Sequence, residues 1–249
     1  MKTVNELYGG EVKLQFSDFN HSYVLLPENT RVPSVTTILS VISKPALINW
    51  AAGMAVDHIA SNIKPGVSYD EVELNNLFTA ARKAHTQRKQ ETADIGSMVH
   101  AWIEKFIKGE SPELPINEQL RSSVGNFLRW KDEHDVKFIL SEQPVYSRKH
   151  GYCGTLDFVA MIDKALFLGD IKTSNNIYDE YWIQLAAYAV ARSEEFPNED
   201  YKAQGIIRIS RDGSFEFKTS DSKDECFEAF KAARVLYNWQ QVRKNGRQP

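Results

Sequence analysis

The chain has 249 residues, 42% of them apolar, and its 30 basic and 33 acidic side chains leave a formal net charge of −3. This is the balance of a globular protein with a substantial core, and it argues against nonspecific coating of nucleic acid while leaving room for local basic patches. The two cysteines, Cys153 and Cys226, exclude a four-cysteine zinc or iron–sulfur centre and fit a reduced compartment. No run is apolar enough to span a bilayer and residues 1–10 lack a signal-peptide apolar core, so a soluble cytoplasmic protein is expected.

Taken in order, Glu11–Phe16 and Tyr23–Leu26 alternate apolar and polar residues around Ser17-Asp18-Phe19-Asn20, which predicts a hairpin. Ser34 follows Arg31-Val32-Pro33 as the N-cap of a helical segment reaching Ser43. Pro45 opens a second helical run that ends near Lys64-Pro65-Gly66. Asp70–Gly109 reads as helix with a break near Asp94–Gly96, because glycine weakens a helix interior. Asn117–His134 is an amphipathic helix with Leu120, Val124, Phe127, Leu128 and Trp130 on its apolar side.

Strand patterns then take over at Val136–Ser147, Thr155–Ile162 and Ala165–Lys172. A helix at Tyr178–Glu195 has Trp182, Leu185, Ala189 and Val190 as its apolar positions. Ala203–Ser210 and Phe215–Lys218 flank a glycine turn, Arg211-Asp212-Gly213-Ser214, before a closing helix at Asp221–Lys244. No repeat or low-complexity linker divides the chain. The pattern predicts a single α/β domain over 1–249, with a hairpin and helical portion at 1–92 and the strand-rich part at 93–249.

The chemistry concentrates between Gly151 and Tyr188. If Asp163-Lys164 is a two-residue hairpin loop, Asp157 falls opposite Asp170, and Asp170 shares a strand face with Lys172. Two carboxylates then offer hard oxygen ligands to a magnesium or manganese ion. A lysine beside them can orient a metal-bound water or stabilise charge on a phosphoryl oxygen. The competing reading is a solvated hairpin with a surface Asp–Lys pair. Phe158, Val159, Phe167, Leu168 and Ile171 weigh against it, because charge among buried strands is costly unless paired or metal-bound.

Other residues are ambiguous by pattern alone. His100 lies among Val99, Ile103 and Phe106 on a helix, where a structural or exposed histidine is the commoner case, although Gly96 one turn earlier permits close backbone approach. Glu104 reads as a solvated partner for Lys108. Gln184 and Tyr188, four apart, share a helix face and suit a phosphate, a base or a catalytic carboxylate, or simply edge the core stripe. Glu142 reads as a solvated acid of an edge strand, with a metal-side role as the alternative. Arg82, Lys83, His85, Arg88 and Lys89 form either a solvated face or a track for a phosphate backbone. Trp50, Tyr23 and Trp102 are base-stacking or core residues. There is no phosphate-binding GxxxxGK[ST] loop, no Gly-x-Ser-x-Gly elbow and no Cys–His pair, so neither a nucleotide cofactor nor a thiol nucleophile is expected.

GTLDFVA, LGDIKTS and QLAAY, preceded by GSMVHAWIE and by VPSVTTILS, resemble the RecB-like branch of the PD-(D/E)XK nuclease superfamily. Within it, the chain is most similar to mitochondrial genome maintenance exonucleases and related phage exonucleases. The superfamily's Pro-Asp is here Leu156-Asp157. The resemblance implies a restriction-endonuclease-like core, a mixed central sheet flanked by helices, and metal-dependent phosphodiester hydrolysis. It makes Asp157, Asp170 and the Ile171 carbonyl ligands of Mg2+ or Mn2+, with His100 a further ligand and Lys172 the catalytic lysine. Gln184 and Tyr188 would shape the site or contact DNA. The helices of 1–92 would form an arch that threads a single strand, and 93–249 would be the catalytic core. Some related nucleases carry a cysteine-bound iron–sulfur cluster, which two cysteines cannot build. The expected activity is that of a DNA exonuclease acting on single strands or free ends in replication, recombination or repair, in a bacterial or phage-infected cell. A structure-specific endonuclease and a non-catalytic DNA-binding module are the alternatives.

Overall fold

The computed structural model describes residues 1–210, 213–244 and 246. Its first sheet is antiparallel and in chain order: β1 (Lys2–Leu7), β2 (Val12–Ser17), β3 (Ser22–Leu26) and β4 (Thr30–Val32). The predicted hairpin is the β2–β3 pair, where Phe16 stands opposite Tyr23 with ring centroids 4.7 Å apart. The outer strands β1 and β4 were not expected. Leu7, Leu14, Tyr23 and Val32 bury themselves with Cys153, which joins this sheet to the rest of its unit. Ser34 caps α1 (Val35–Leu39) as predicted, its Oγ accepting from the Thr37 N–H at 3.1 Å, but the helix is short.

The second sheet runs β5 (Val136–Ser147), β6 (Tyr152–Ile162), β7 (Ala165–Lys172), β8 (Ala203–Ile209), β9 (Phe215–Ser220). Only β7 and β8 are parallel, and α5 (Asp179–Glu195) supplies the crossover such a pair needs. The β6–β7 turn is the predicted two-residue loop. Asp163 and Lys164 both have left-handed φ, 48° and 69°, the pattern of a tight hairpin turn, and Ile162 stands opposite Ala165. At the β8–β9 connection, Arg211 and Asp212 lie outside the described residues.

Each face of this sheet is covered. On one, Tyr152, Leu168 and Ile206 pack with α1, with Leu185 and Ala189 of α5, and with Phe230 of α6 (Lys223–Lys244). The Tyr152 hydroxyl donates to the Ala187 carbonyl at 2.7 Å. On the other, Phe127 and Trp130 of α4 (Glu118–Glu133) meet Phe138 and Phe217, and Phe138 meets Phe158 edge-on. Gly169 sits directly across from Phe158, whose ring would lie 2.0 Å from any Cβ placed there. That glycine makes room for the aromatic layer.

The chain divides into two compact units, Met1–Ile42 with Val99–Pro249, and Ser43–Met98. The strands of β1–β4 thus group with the strand-rich part, where the sequence reading had placed them with the helices of 1–92. The second unit holds α2 (Pro45–Asn62), none of whose residues is buried, and most of α3 (Glu71–Ile107). The predicted break near Asp94–Gly96 is absent. One interior glycine costs a helix about 1 kcal/mol relative to alanine, too little to end a helix of 37 residues. Among the described residues no helix is long and apolar enough to cross a membrane.

Candidate metal centre

The first unit gathers a polar cluster from four elements: the β6–β7 hairpin, α5, the last turns of α3, and β5. Asp170 is the deepest member, 1% exposed. Its Oδ2 lies 2.6 Å from Lys172 Nζ, an ion pair without hydrogen-bond geometry, and its Oδ1 accepts from Gln184 Nε2 at 3.2 Å. Lys172 Nζ donates to Gln184 Oε1 at 3.3 Å and lies over the Tyr181 ring. Gln184 Nε2 also donates to the Tyr188 hydroxyl at 3.2 Å. The i, i+4 pair of α5 therefore faces the acids, as one of its two sequence readings required. Gly154 is part of the arrangement, because a Cβ there would come within 2.5 Å of the Tyr188 ring.

Asp157 is brought in by the predicted register. The regular ladder ends at Phe158–Gly169, and one position on, Asp157 turns its Oδ2 to accept the Ile171 N–H at 2.7 Å. The same oxygen is 3.1 Å from His100 Nε2. His100 thus belongs to the cluster and is not a satisfied core histidine. Ile171 joins through its backbone, its side chain being buried.

Glu142 corrects the sequence reading. β5 is an edge strand, yet Glu142 is not a solvated acid, since its Oε1 is buried and without a hydrogen-bond partner and lies 3.9 Å from His100 Nδ1. Ser141 pairs with Phe158 and Gln143 with Leu156, so Glu142 stands across from Asp157, and there its φ is +50°. Left-handed backbone at a non-glycine residue costs about 1–3 kcal/mol. The register that sets this pairing depends on a shift between Phe138 and Leu140, which no residue pattern announces. Glu104 does form the expected ion pair with Lys108. Among the described residues, His100, Glu104 and Glu142 are the group whose potential ligand atoms all lie within 4.8 Å of one another. Asp170 is instead drawn towards Lys172.

The remaining sequence candidates lie elsewhere. Arg82 and Lys83 are exposed on the segment of α3 in the second unit. Trp102 is buried, stacks on Phe106 and donates Nε1–H to the Glu113 carbonyl, and Tyr23 is buried with its hydroxyl on Thr155 Oγ1, so both are core residues. Trp50 is partly exposed and meets His85 edge-on. A cavity of about 280 Å³ near Ser193, Gln204 and Lys223 contains none of the cluster.

Burial and the neighbouring Asp157 charge push the Asp170 carboxyl up to about 7, and the same two causes raise Glu142 to about 7. The hydrogen bond to Asp157 raises His100 to about 9 against the opposing effect of burial. Burial alone would lower Lys172, but the Asp170 and Asp157 charges outweigh it and hold its pKa above the ordinary value. Without metal, the cluster therefore holds protons against its own crowded acids. Oxygen donors with one imidazole, some of them without hydrogen-bond partners, suit a hard divalent cation that replaces those protons.

A stability profile follows. The folded pKa values of Glu142, Asp170 and His100 all lie above their ordinary ones, so the folded chain binds more protons than the unfolded one. The carboxyl contributions are complete below about 4 and are lost as pH rises through about 7. The His100 contribution is complete below 6.5 and is lost through about 9. Urea unfolding in a chelator should therefore show stability falling from about pH 5 to about pH 9, and saturating Mn2+ should flatten the decline. A metal-free profile that rises over this range would contradict the assigned protonation.

Comparison of the chain with protein-family models and with curated proteins gave no match.

Proposed function

We propose that the chain is a Mg2+- or Mn2+-dependent deoxyribonuclease with a PD-(D/E)XK core, an exonuclease acting on single strands or free ends. The observation that carries this reading is Asp170, a carboxylate 1% exposed, held between Lys172 and Gln184 within reach of Asp157 and His100. Burying so many ionisable groups together works against stability unless they serve a ligand or a reaction. A mixed sheet with helices on both faces supports the core assignment.

Asp157, Asp170, His100 and the Ile171 carbonyl would hold the cation. When bound, it would supply an activated water and neutralise charge on the scissile phosphate. Lys172, kept protonated by its acidic neighbours, is suited to donate to a phosphate oxygen or to orient the water, and not to act as a base. Gln184 fixes both Lys172 and Asp170, and Tyr188 fixes Gln184. The exposed Arg82 and Lys83 offer positive charge to the DNA backbone. A place in replication, recombination or repair, in the cytoplasm of a bacterial or phage-infected cell, completes the proposal.

The exonuclease part has a simple test. With Mn2+ or Mg2+, a linear single strand should be digested to short products while a circular strand of the same sequence stays intact. Linearisation of the circle would make the enzyme an endonuclease.

A further inference from the structure

The His100 ring lies between two acids from adjacent strands and turns one nitrogen to each. Nε2 is 3.1 Å from Asp157 Oδ2, and Nδ1 is 3.9 Å from Glu142 Oε1. Asp157 is already fixed by the Ile171 N–H. Glu142 Oε1 is buried with no hydrogen-bond partner, although a carboxylate oxygen there calls for a donor. The other acid near His100, Glu104, is engaged by Lys108. His100 Nδ1 faces that oxygen at 3.9 Å, just beyond hydrogen-bond distance, so a small turn of either side chain would bring the two together.

From this geometry we infer that Glu142 is a positioning residue for His100. In the metal-free site Nε2 shares its proton with Asp157; where a cation displaces that proton, Glu142 would accept Nδ1–H and so hold the ring with its Nε2 lone pair towards the cation. A histidine that binds metal through one nitrogen generally hands its other N–H to a carboxylate or carbonyl, and loss of such a partner costs about 10- to 100-fold in metal affinity or activity. The inference rests on the metal-centre reading above and adds a role for a residue that contacts neither the reacting phosphate nor, in this role, the cation. It also bears on metal choice. Imidazole favours manganese over magnesium, so a misaimed His100 should cost Mn2+ binding more than Mg2+ binding.

The test is a double-mutant cycle on the full chain, with Mn2+ and Mg2+ affinities read by calorimetry for wild type, Glu142→Ala, His100→Ala and the double variant. Glu142→Ala should weaken Mn2+ by about 10- to 100-fold, with a smaller loss for Mg2+, and have no further effect once His100 is alanine. Glu142→Gln, which keeps the size and one acceptor oxygen, should lose less than Glu142→Ala and secures the comparison if the alanine variant unfolds. Equal losses with and without His100 would make Glu142 a direct ligand or a structural residue and overturn the inference. So would unchanged Mn2+ affinity in Glu142→Ala. Wild type that binds no Mn2+ would instead remove the metal-centre reading, and this inference with it.

Discussion

Lys172→Ala is expected to lower Mn2+-dependent cleavage of single-stranded DNA on the order of 10²- to 10³-fold, the loss typical of removing one preorganised donor to developing charge. DNA affinity should stay within a few-fold of wild type, because one contact among many phosphate contacts is lost. Mn2+ affinity should hold or rise. Lys172 Nζ lies 2.6 Å from Asp170 Oδ2, so the ammonium would compete with a bound cation for that oxygen. The combination separates a catalytic lysine from a structural one. A structural lysine would take folding and metal binding down with activity, and single-turnover cleavage with calorimetry on the same preparation would reveal it.

Asp170→Asn should have the opposite profile for the metal. The amide keeps the shape and an acceptor for Gln184, but it removes the charge that a divalent cation needs. Mn2+ affinity should fall at least about a hundredfold, beyond the loss usual for an indirect partner, and cleavage should disappear with it. Stability should not fall. Burial and Asp157 already disfavour the ionised form of Asp170, so near pH 8 a neutral isostere relieves the folded chain of a charge it holds poorly. Lys172 keeps Gln184 as an acceptor and Tyr181 beneath it. The urea midpoint of the metal-free variant should therefore equal or exceed that of wild type, the exchange of stability for activity found at functional sites. A clear drop in midpoint would mean that Asp170 and Lys172 are a structural ion pair, and the metal centre would lose its deepest ligand.

What the sequence disclosed and what it hid divide along physical lines. The β6–β7 hairpin was legible because a two-residue loop fixes register, and register fixes which side chains meet. Asp157 and Asp170 followed from counting. Gln184 and Tyr188 followed from the helical period, although only tertiary packing could decide that their face meets the acids. His100 was less accessible, since nothing in a helix pattern says what its apolar side packs on. Glu142 was misread because its environment depends on the β5 register shift and on one left-handed residue, both set by packing. The outer strands of the first sheet escaped for related reasons. β1 carries four exposed or half-exposed polar residues among its six, and β4 is three residues long, so neither shows a clear apolar alternation. The helix break predicted at Gly96 failed in the other direction, where a local preference was outweighed by the cooperativity of a long helix.

The central claim is that this cluster binds a divalent cation and hydrolyses phosphodiester bonds. Its most direct test is digestion of end-labelled single-stranded DNA by purified protein, in chelator and after addition of Mn2+, with the Asp157→Ala/Asp170→Ala variant alongside. The expected result is no cleavage in chelator, progressive shortening from an end once Mn2+ is added, and no cleavage by the double variant. Labelled DNA left intact by wild type with Mn2+, or digested equally by the double variant, would contradict it.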